Sequence, residues 1–115
     1  IFQPHQHSRL RMLMDDFVQV LKEFDYVIVP DIFYARDSEE EVKKTHSTDL
    51  VKFLQKKGTK AKYISNFDEI VKFAGVFAQS LPCLEFSAAE KIIILTMGAG
   101  DVFRISHDLV MRNTR

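Results

Sequence analysis

The sequence holds a single cysteine, Cys83, so no disulfide can form within the chain. It lacks any apolar run of 18 residues and any signal peptide, which leaves out the membrane and makes a cytoplasmic setting the expectation. It also lacks an excess of either charge, because 16 Lys and Arg balance 16 Asp and Glu. No net field draws nucleic acid or an anionic membrane, and any anion site must be local. Repeats and low-complexity stretches are missing as well. The nearest thing to a linker is the polar segment from Arg36 to Thr45, and we draw no domain boundary there.

What is present suits one globular unit. The chain has 115 residues, 46% of them apolar and 28% charged, enough for one core and too few for two. Tyr26-Val-Ile-Val-Pro30 is short, β-branched and bounded by aspartates, as expected of a strand buried on both faces of a parallel sheet. Lys91-Ile-Ile-Ile-Leu-Thr96 reads the same way. Ala61-Lys-Tyr-Ile-Ser65 is a weaker strand, and Ile1-Phe2 reads as the stub of one that begins before residue 1.

Between them lie helical periods. Leu10, Leu13, Met14, Phe17, Leu21 and Phe24 form one stripe, with Ser8 as its cap. A second helix follows Ser47 or Thr48, turns Leu50, Val51, Phe53 and Leu54 inward, and stops at Lys56-Lys57-Gly58. A third opens on the capping pattern Asn66-Phe-Asp-Glu69, runs through Ile70, Phe73, Ala74, Phe77 and Leu81, and ends at Pro82. A fourth follows Asp101 and buries Val102, Ile105 and Leu109, with Val110 at the margin. The ten phenylalanines fall mostly at such spacings and read as core. Strands alternating with helices imply an α/β fold with a mostly parallel sheet and helices on both faces. Such sheets bind ligands beyond their strand C-termini.

Three segments at that edge could carry chemistry. Helix N-termini favour acids, and three of the four helices obey: Asp49, Asp68, Glu69 and Asp101 sit at their starts. The first helix opens instead with Arg9 and Arg11 after His5 and His7. Free amides, guanidinium groups and imidazoles there make an anion site for a carboxylate or phosphate. Equally, the arginines are solvated or pair with Asp15, Asp16 or a neighbouring loop. In Thr96-Met-Gly-Ala-Gly-Asp101, Gly98 and Gly100 permit a tight turn, and we favour a plain strand-to-helix turn capped by Asp101. It is not G-x-G-x-x-G, since Phe103 takes the third glycine's place, and no G-x-x-x-x-G-K-[ST] loop occurs. Asp31, Tyr34 and Arg36 follow a strand and could share one cleft, or Arg36 balances Glu39, Glu40 and Glu41. His5-x-His7 is too little for zinc, His46 and His107 stand alone, and Cys83 reads as a small apolar residue, so no metal ligand and no catalytic group is assigned.

Three strings in register resemble the C-terminal domain of the Mur ligase family, in the branch that couples L-alanine to UDP-N-acetylmuramate. Phe2-Gln-Pro-His5 with Ser8-Arg9 is similar to F-Q-P-H-R-Y-[ST]-R, followed by Asp15-Asp16-Phe17 as D-D-F. Asp31-Ile-Phe-Tyr-Ala-Arg36 is similar to D-I-Y-A-A-R, and Leu95-Thr-Met-Gly-Ala-Gly-Asp101 matches L-T-M-G-A-G-D. Gln6 stands where arginine is usual, His7 where tyrosine is, and Leu10 where threonine is.

The resemblance implies residues 1–115 as a single partial domain, a Rossmann-like three-layer sandwich whose first strand and helix are missing or truncated. It implies a peptidoglycan ligase that uses ATP and Mg²⁺, bound mainly by a central domain outside this chain, to activate UDP-N-acetylmuramate for attack by L-alanine. His5 and Arg9 would hold the alanine carboxylate; Asp31, Tyr34 and Arg36 would face the incoming amino acid. Gly98, Gly100 and Asp101 would lie at the interface with the central ATPase domain. No cofactor and no activity are expected of this segment alone. The alternatives are the C-terminal domain of a murein tripeptide recycling ligase, whose opening motif lacks Phe-Gln-Pro-His, and a free-standing α/β binding or signalling module, which calls for a complete first strand.

Overall fold

The computed structural model describes residues 1–80 and 92–113. The expectations at Leu81, Pro82, Cys83 and Lys91 lie outside the described residues. Strand β1 (Tyr26–Val29) pairs in parallel with β2 (Lys60–Tyr63), Tyr26 opposite Lys60 and Val29 opposite Tyr63. On the other side of β1 runs the opening of the chain, where the Phe2 amide donates to the Ile28 carbonyl at 2.9 Å. Beyond it lie residues 95–97: the Met97 amide donates to Ile1, the Gln3 amide to Met97, and Phe2 and Met97 form a parallel bridge. The result is a small parallel sheet extended by two short bonded segments. All four segments run the same way, so their C-terminal ends share one edge.

Side-chain alternation along β1 sorts the core into two clusters. Val27 and Val29 join Leu10, Val18, Leu21, Leu50, Val51 and Leu54, whereas Ile28 joins Ile70, Val71, Ala74, Val102, Ile105 and Leu109. Successive strand residues point to opposite faces, so helices cover both sides of β1. The first cluster takes α1 (His7–Met12), α2 (Met14–Leu21) and α4 (Ser47–Lys56); the second takes α5 (Phe67–Ser80) and α6 (Phe103–Asn113). α4 ends where expected, with Gly58 at φ 84° after Lys57. α5 starts as expected, with the Glu69 amide donating to Asn66 Oδ1 at 3.1 Å.

Four expectations need correction. The first stripe is two helices, broken at Leu13 (φ −109°, ψ 18°). α1 is tied to the loop and helix around Asp37 and Glu41 while α2 packs on α4, and one straight helix cannot serve both. The linker-like segment contains α3 (Glu39–Lys44), capped by Ser38, with three acids in its first turn and two lysines in its last. It buries no residue, so no apolar stripe announced it. Residues 92–95 are not a buried strand: Ile93 is 81% exposed and the run hydrogen-bonds only near its end. Among the described phenylalanines none is fully buried, and Phe53 and Phe103 lie exposed, as does Val110. Their rings flank the core, which is built of the smaller Leu, Ile and Val.

Leu54 is wholly buried where α4 meets the sheet. Leu54→Ala is expected to lower unfolding free energy by about 3 kcal/mol, read as a reduced urea midpoint at unchanged slope.

Candidate functional site

The shared strand edge gathers His5, Asp31, Tyr63, Ser65 and Gly98 at or just past the ends of the four parallel segments. The loop at 31–37 runs beside the chain's opening in the same direction: the Phe33 amide donates to the Pro4 carbonyl, and the Gln6 amide to that of Phe33. Gln6 and Arg36 both take left-handed backbone, φ 67° and 60°, a conformation costing a non-glycine residue on the order of 1 kcal/mol. Each stands immediately before a residue of the next interaction.

That interaction is the Asp37 carboxylate in the mouth of α1. Oδ2 accepts from the His7 amide at 2.7 Å and lies 3.0 Å from His7 Nδ1. Oδ1 accepts from the Ser8 amide at 3.1 Å and the Ser8 hydroxyl at 3.0 Å. Burial alone would raise this carboxyl, but the amides and side chains of His7 and Ser8 outweigh it and lower its pKa to about 2. Ser8 therefore does not cap the helix from outside; it stands in the first turn and donates to the acid that caps it. The anion expected at this N-terminus is supplied by the chain itself.

The basic groups divide accordingly. Arg11 donates through Nε and Nη2 to Glu41 on α3, and these bonds hold the Glu41 carboxyl below its ordinary value. This is the neighbouring-loop pairing weighed for the arginines. Arg9 is exposed and makes no ion pair among the described residues. Arg36 is exposed too, with no bond to Glu39, Glu40 or Glu41 among the described residues.

The other candidates have defined places. The His5 ring stacks on Phe33 at 5.5 Å, 13° from parallel, with its Nδ1 buried and unpartnered. The Tyr34 hydroxyl donates to the Asp37 carbonyl at 3.0 Å, so it braces the loop. Asp31 is exposed and accepts from the Tyr63 phenol and, at 2.9 Å, the Ser65 hydroxyl. Gly98 packs on the Gln3 backbone, where a Cβ would meet Gln3 O at 3.0 Å. A Cβ on Gly100 would lie 2.4 Å from the Phe33 ring. That ring thus has His5 as one neighbour and the bare Gly100 backbone as another. The Asp101 carboxylate stands 3.7 Å from Arg104, and α6 begins two residues later.

A cleft of about 270 Å³ opens beside Asp31, lined also by His7, Ile32, His46, Ser47, Thr48 and Tyr63. A second, of about 390 Å³, lies among Gln3, Ser65, Asn66, Phe67, Asp68, Asp101 and Arg104. Among the described residues no group of three or more His, Cys, Asp or Glu is placed to share a metal ion. No described helix is long and apolar enough to cross a membrane.

The sequence missed Asp37, Tyr63, Ser65 and Phe33. All four act through partners some 28 to 67 residues away. The one local sign for Asp37 was the missing acid in α1's first turn, which called for an anion from elsewhere.

No family model matches the chain. Curated relatives do. It is 34% identical to a UDP-N-acetylmuramate-L-alanine ligase of Acetivibrio thermocellus over 91% of its length and 20% of the relative's. It is 31% identical over its whole length to the ligase of that name from Caldanaerobacter subterraneus, covering 22% of the relative. It is 40% identical over 89% of its length to that of Caldicellulosiruptor saccharolyticus, covering 20%. The chain thus spans about a fifth of the relatives it matches.

Asp37→Asn should destabilise the protein by about 2 kcal/mol, since a buried charged acceptor of several donors is lost. A carboxyl depressed to about 2 when folded gives stability that is complete above about pH 4 and fades as pH falls toward 2. Wild type should therefore lose stability over that window and the asparagine variant less so, measured by thermal melts from pH 6 to 2. Gly100→Ala should displace Phe33 and lower the melting temperature, whereas alanine at the open Gly75 should not.

Proposed function

We propose, from the premise that the chain belongs to the Mur ligase family through the UDP-N-acetylmuramate-L-alanine ligases it matches, that it is the amino-acid-binding, domain-closing part of such a ligase. The reaction is the ATP-dependent formation of the amide bond between UDP-N-acetylmuramate and L-alanine, in the cytoplasm, for peptidoglycan. The two-sided sheet is then part of a Rossmann-like three-layer sandwich that packs on the central ATPase domain of the same protein, with the turn at Gly98, Gly100 and Asp101 on that side. We assign ATP and Mg²⁺ to the ligase's central domain, outside this chain.

The observation that carries the reading is the division among the basic groups of α1. His7 and Arg11 are bound to Asp37 and Glu41, while Arg9 is exposed and unpaired among the described residues. A small carboxylate can therefore pair with Arg9 without displacing an internal acid; His5 precedes it in the chain, its ring stacked on Phe33. The helix amides take no part, because Asp37 already holds them. Of the loop residues Asp31, Tyr34 and Arg36, expected to face the amino acid, Asp31 lines the cleft, whereas Tyr34 and Arg36 are not among its lining residues. Asp31 would supply the negative charge for the amino group.

Arg9→Ala in the full-length ligase is expected to raise the KM for L-alanine roughly 10- to 100-fold, as for a lost charged hydrogen bond, with little change in the KM for ATP. Steady-state kinetics with each substrate varied in turn check this. Equal constants for the variant and wild type reject the carboxylate role.

A further inference from the structure

Asp31 is held more completely than an exposed loop acid needs to be. It follows Pro30, whose φ is fixed by its ring and whose carbonyl accepts the Ser47 hydroxyl of α4. Its own carbonyl lies 3.4 Å from Gln3 Nε2. Its carboxylate oxygens are then taken one each: Oδ1 by the Tyr63 phenol at the end of β2, Oδ2 by the Ser65 hydroxyl two residues on. Register explains the meeting, since Tyr63 stands opposite Val29 and so ends level with the turn into Asp31. Both donors are neutral, and no cation pairs with this carboxylate among the described residues. The group is fixed in direction without having its charge compensated. About four lone-pair sites on a carboxylate less two donors leave room for a ligand's own donors. Asp31 lines the cleft of about 270 Å³, and Tyr63 lines it too.

We propose that Tyr63 and Ser65 are positioning residues that aim the Asp31 carboxylate into this cleft, where it meets the amino group of the incoming amino acid. This rests on the amino-acid-facing reading of Asp31 given above. A free aspartate would spread over its rotamers, and each unproductive one weakens the hold on a small ammonium or amine. Two donors on different oxygens, reached from a different strand, remove that freedom before the ligand arrives. The donation to Asp31, with burial second, raises the Tyr63 phenol above its ordinary value, so it stays a donor throughout the neutral range.

The test is kinetic and uses the full-length ligase. Tyr63→Phe and Ser65→Ala should each raise the KM for L-alanine roughly 3- to 10-fold, the range for a lost neutral donor, with kcat and the KM for ATP within about twofold. Ser65→Thr, which keeps the hydroxyl, should restore the wild-type value. In an Asp31→Asn background neither substitution should add to the loss, because both act through that carboxylate. Circular dichroism and melting curves establish that each variant is folded; should Tyr63→Phe fail there, Ser65→Ala at its exposed site carries the same comparison. If Asp31→Asn raises the alanine KM but Tyr63→Phe and Ser65→Ala do not, positioning is overturned while the reading of Asp31 stands. If Asp31→Asn itself leaves that KM unchanged, the reading of Asp31 fails and the proposal with it. Additive losses in the Asp31→Asn background also overturn it.

Discussion

The structure around the strand edge depends on one carboxylate, that of Asp37, seated in the first turn of α1. It gathers the amides of two consecutive residues, a hydroxyl and an imidazole, and its side chain has no exposed surface. A six-residue helix is too short to hold itself in water, so α1 owes its existence to what it packs on and what caps it. The cap comes from 30 residues away, so forming it also fixes the loop at 31–37 against the chain's opening. The left-handed backbone at Gln6 and Arg36 is the local strain that this closure offsets. Tyr34 and the Gln6 side chain brace the same loop through the carbonyls of Asp37 and Ala35.

This constraint explains the departures from the family strings. Gln6 and His7 occupy the places where arginine and tyrosine are usual, and both are committed to the loop: Gln6 Nε2 donates to the Ala35 carbonyl at 2.9 Å, and His7 pairs with Asp37. Leu10, in the place of threonine, is completely buried in the first cluster. The positions that differ have become part of the frame, whereas Arg9, one of those that agree, is exposed.

Much of the frame was legible in the sequence because it follows from local pattern. The alternation of Val27, Ile28 and Val29 between two clusters, the Asn66 cap and the Gly58 stop are all written within a few residues of where they act. What escaped was decided by distant partners. Periodicity continues unbroken through Leu13, and only the separate anchors of α1 and α2 show why the helix must break there. The isoleucines at 92–94 have the composition of a buried strand, but burial is a property of neighbours, and none of the described residues lies over Ile93. For the candidate site, the sequence identified the segments and misjudged their chemistry. It singled out the opening of α1 and the loop after β1, yet it left the helix amides open when Asp37 closes them.

Two aspartates on one short loop show how the same side chain is put to opposite uses. Asp37 is buried and bonded by four donors, which drives its carboxyl down to about 2 and exhausts both oxygens; nothing remains with which to bind a ligand. Asp31, six residues earlier, is exposed and bonded by two neutral donors, which direct it without satisfying its charge. The basic side repeats the division, Arg11 bound to Glu41 and Arg9 unbound. Arg36, on the same loop as Asp31, is exposed and makes no ion pair among the described residues either, so the unspent cations outnumber Asp31 on these adjoining segments.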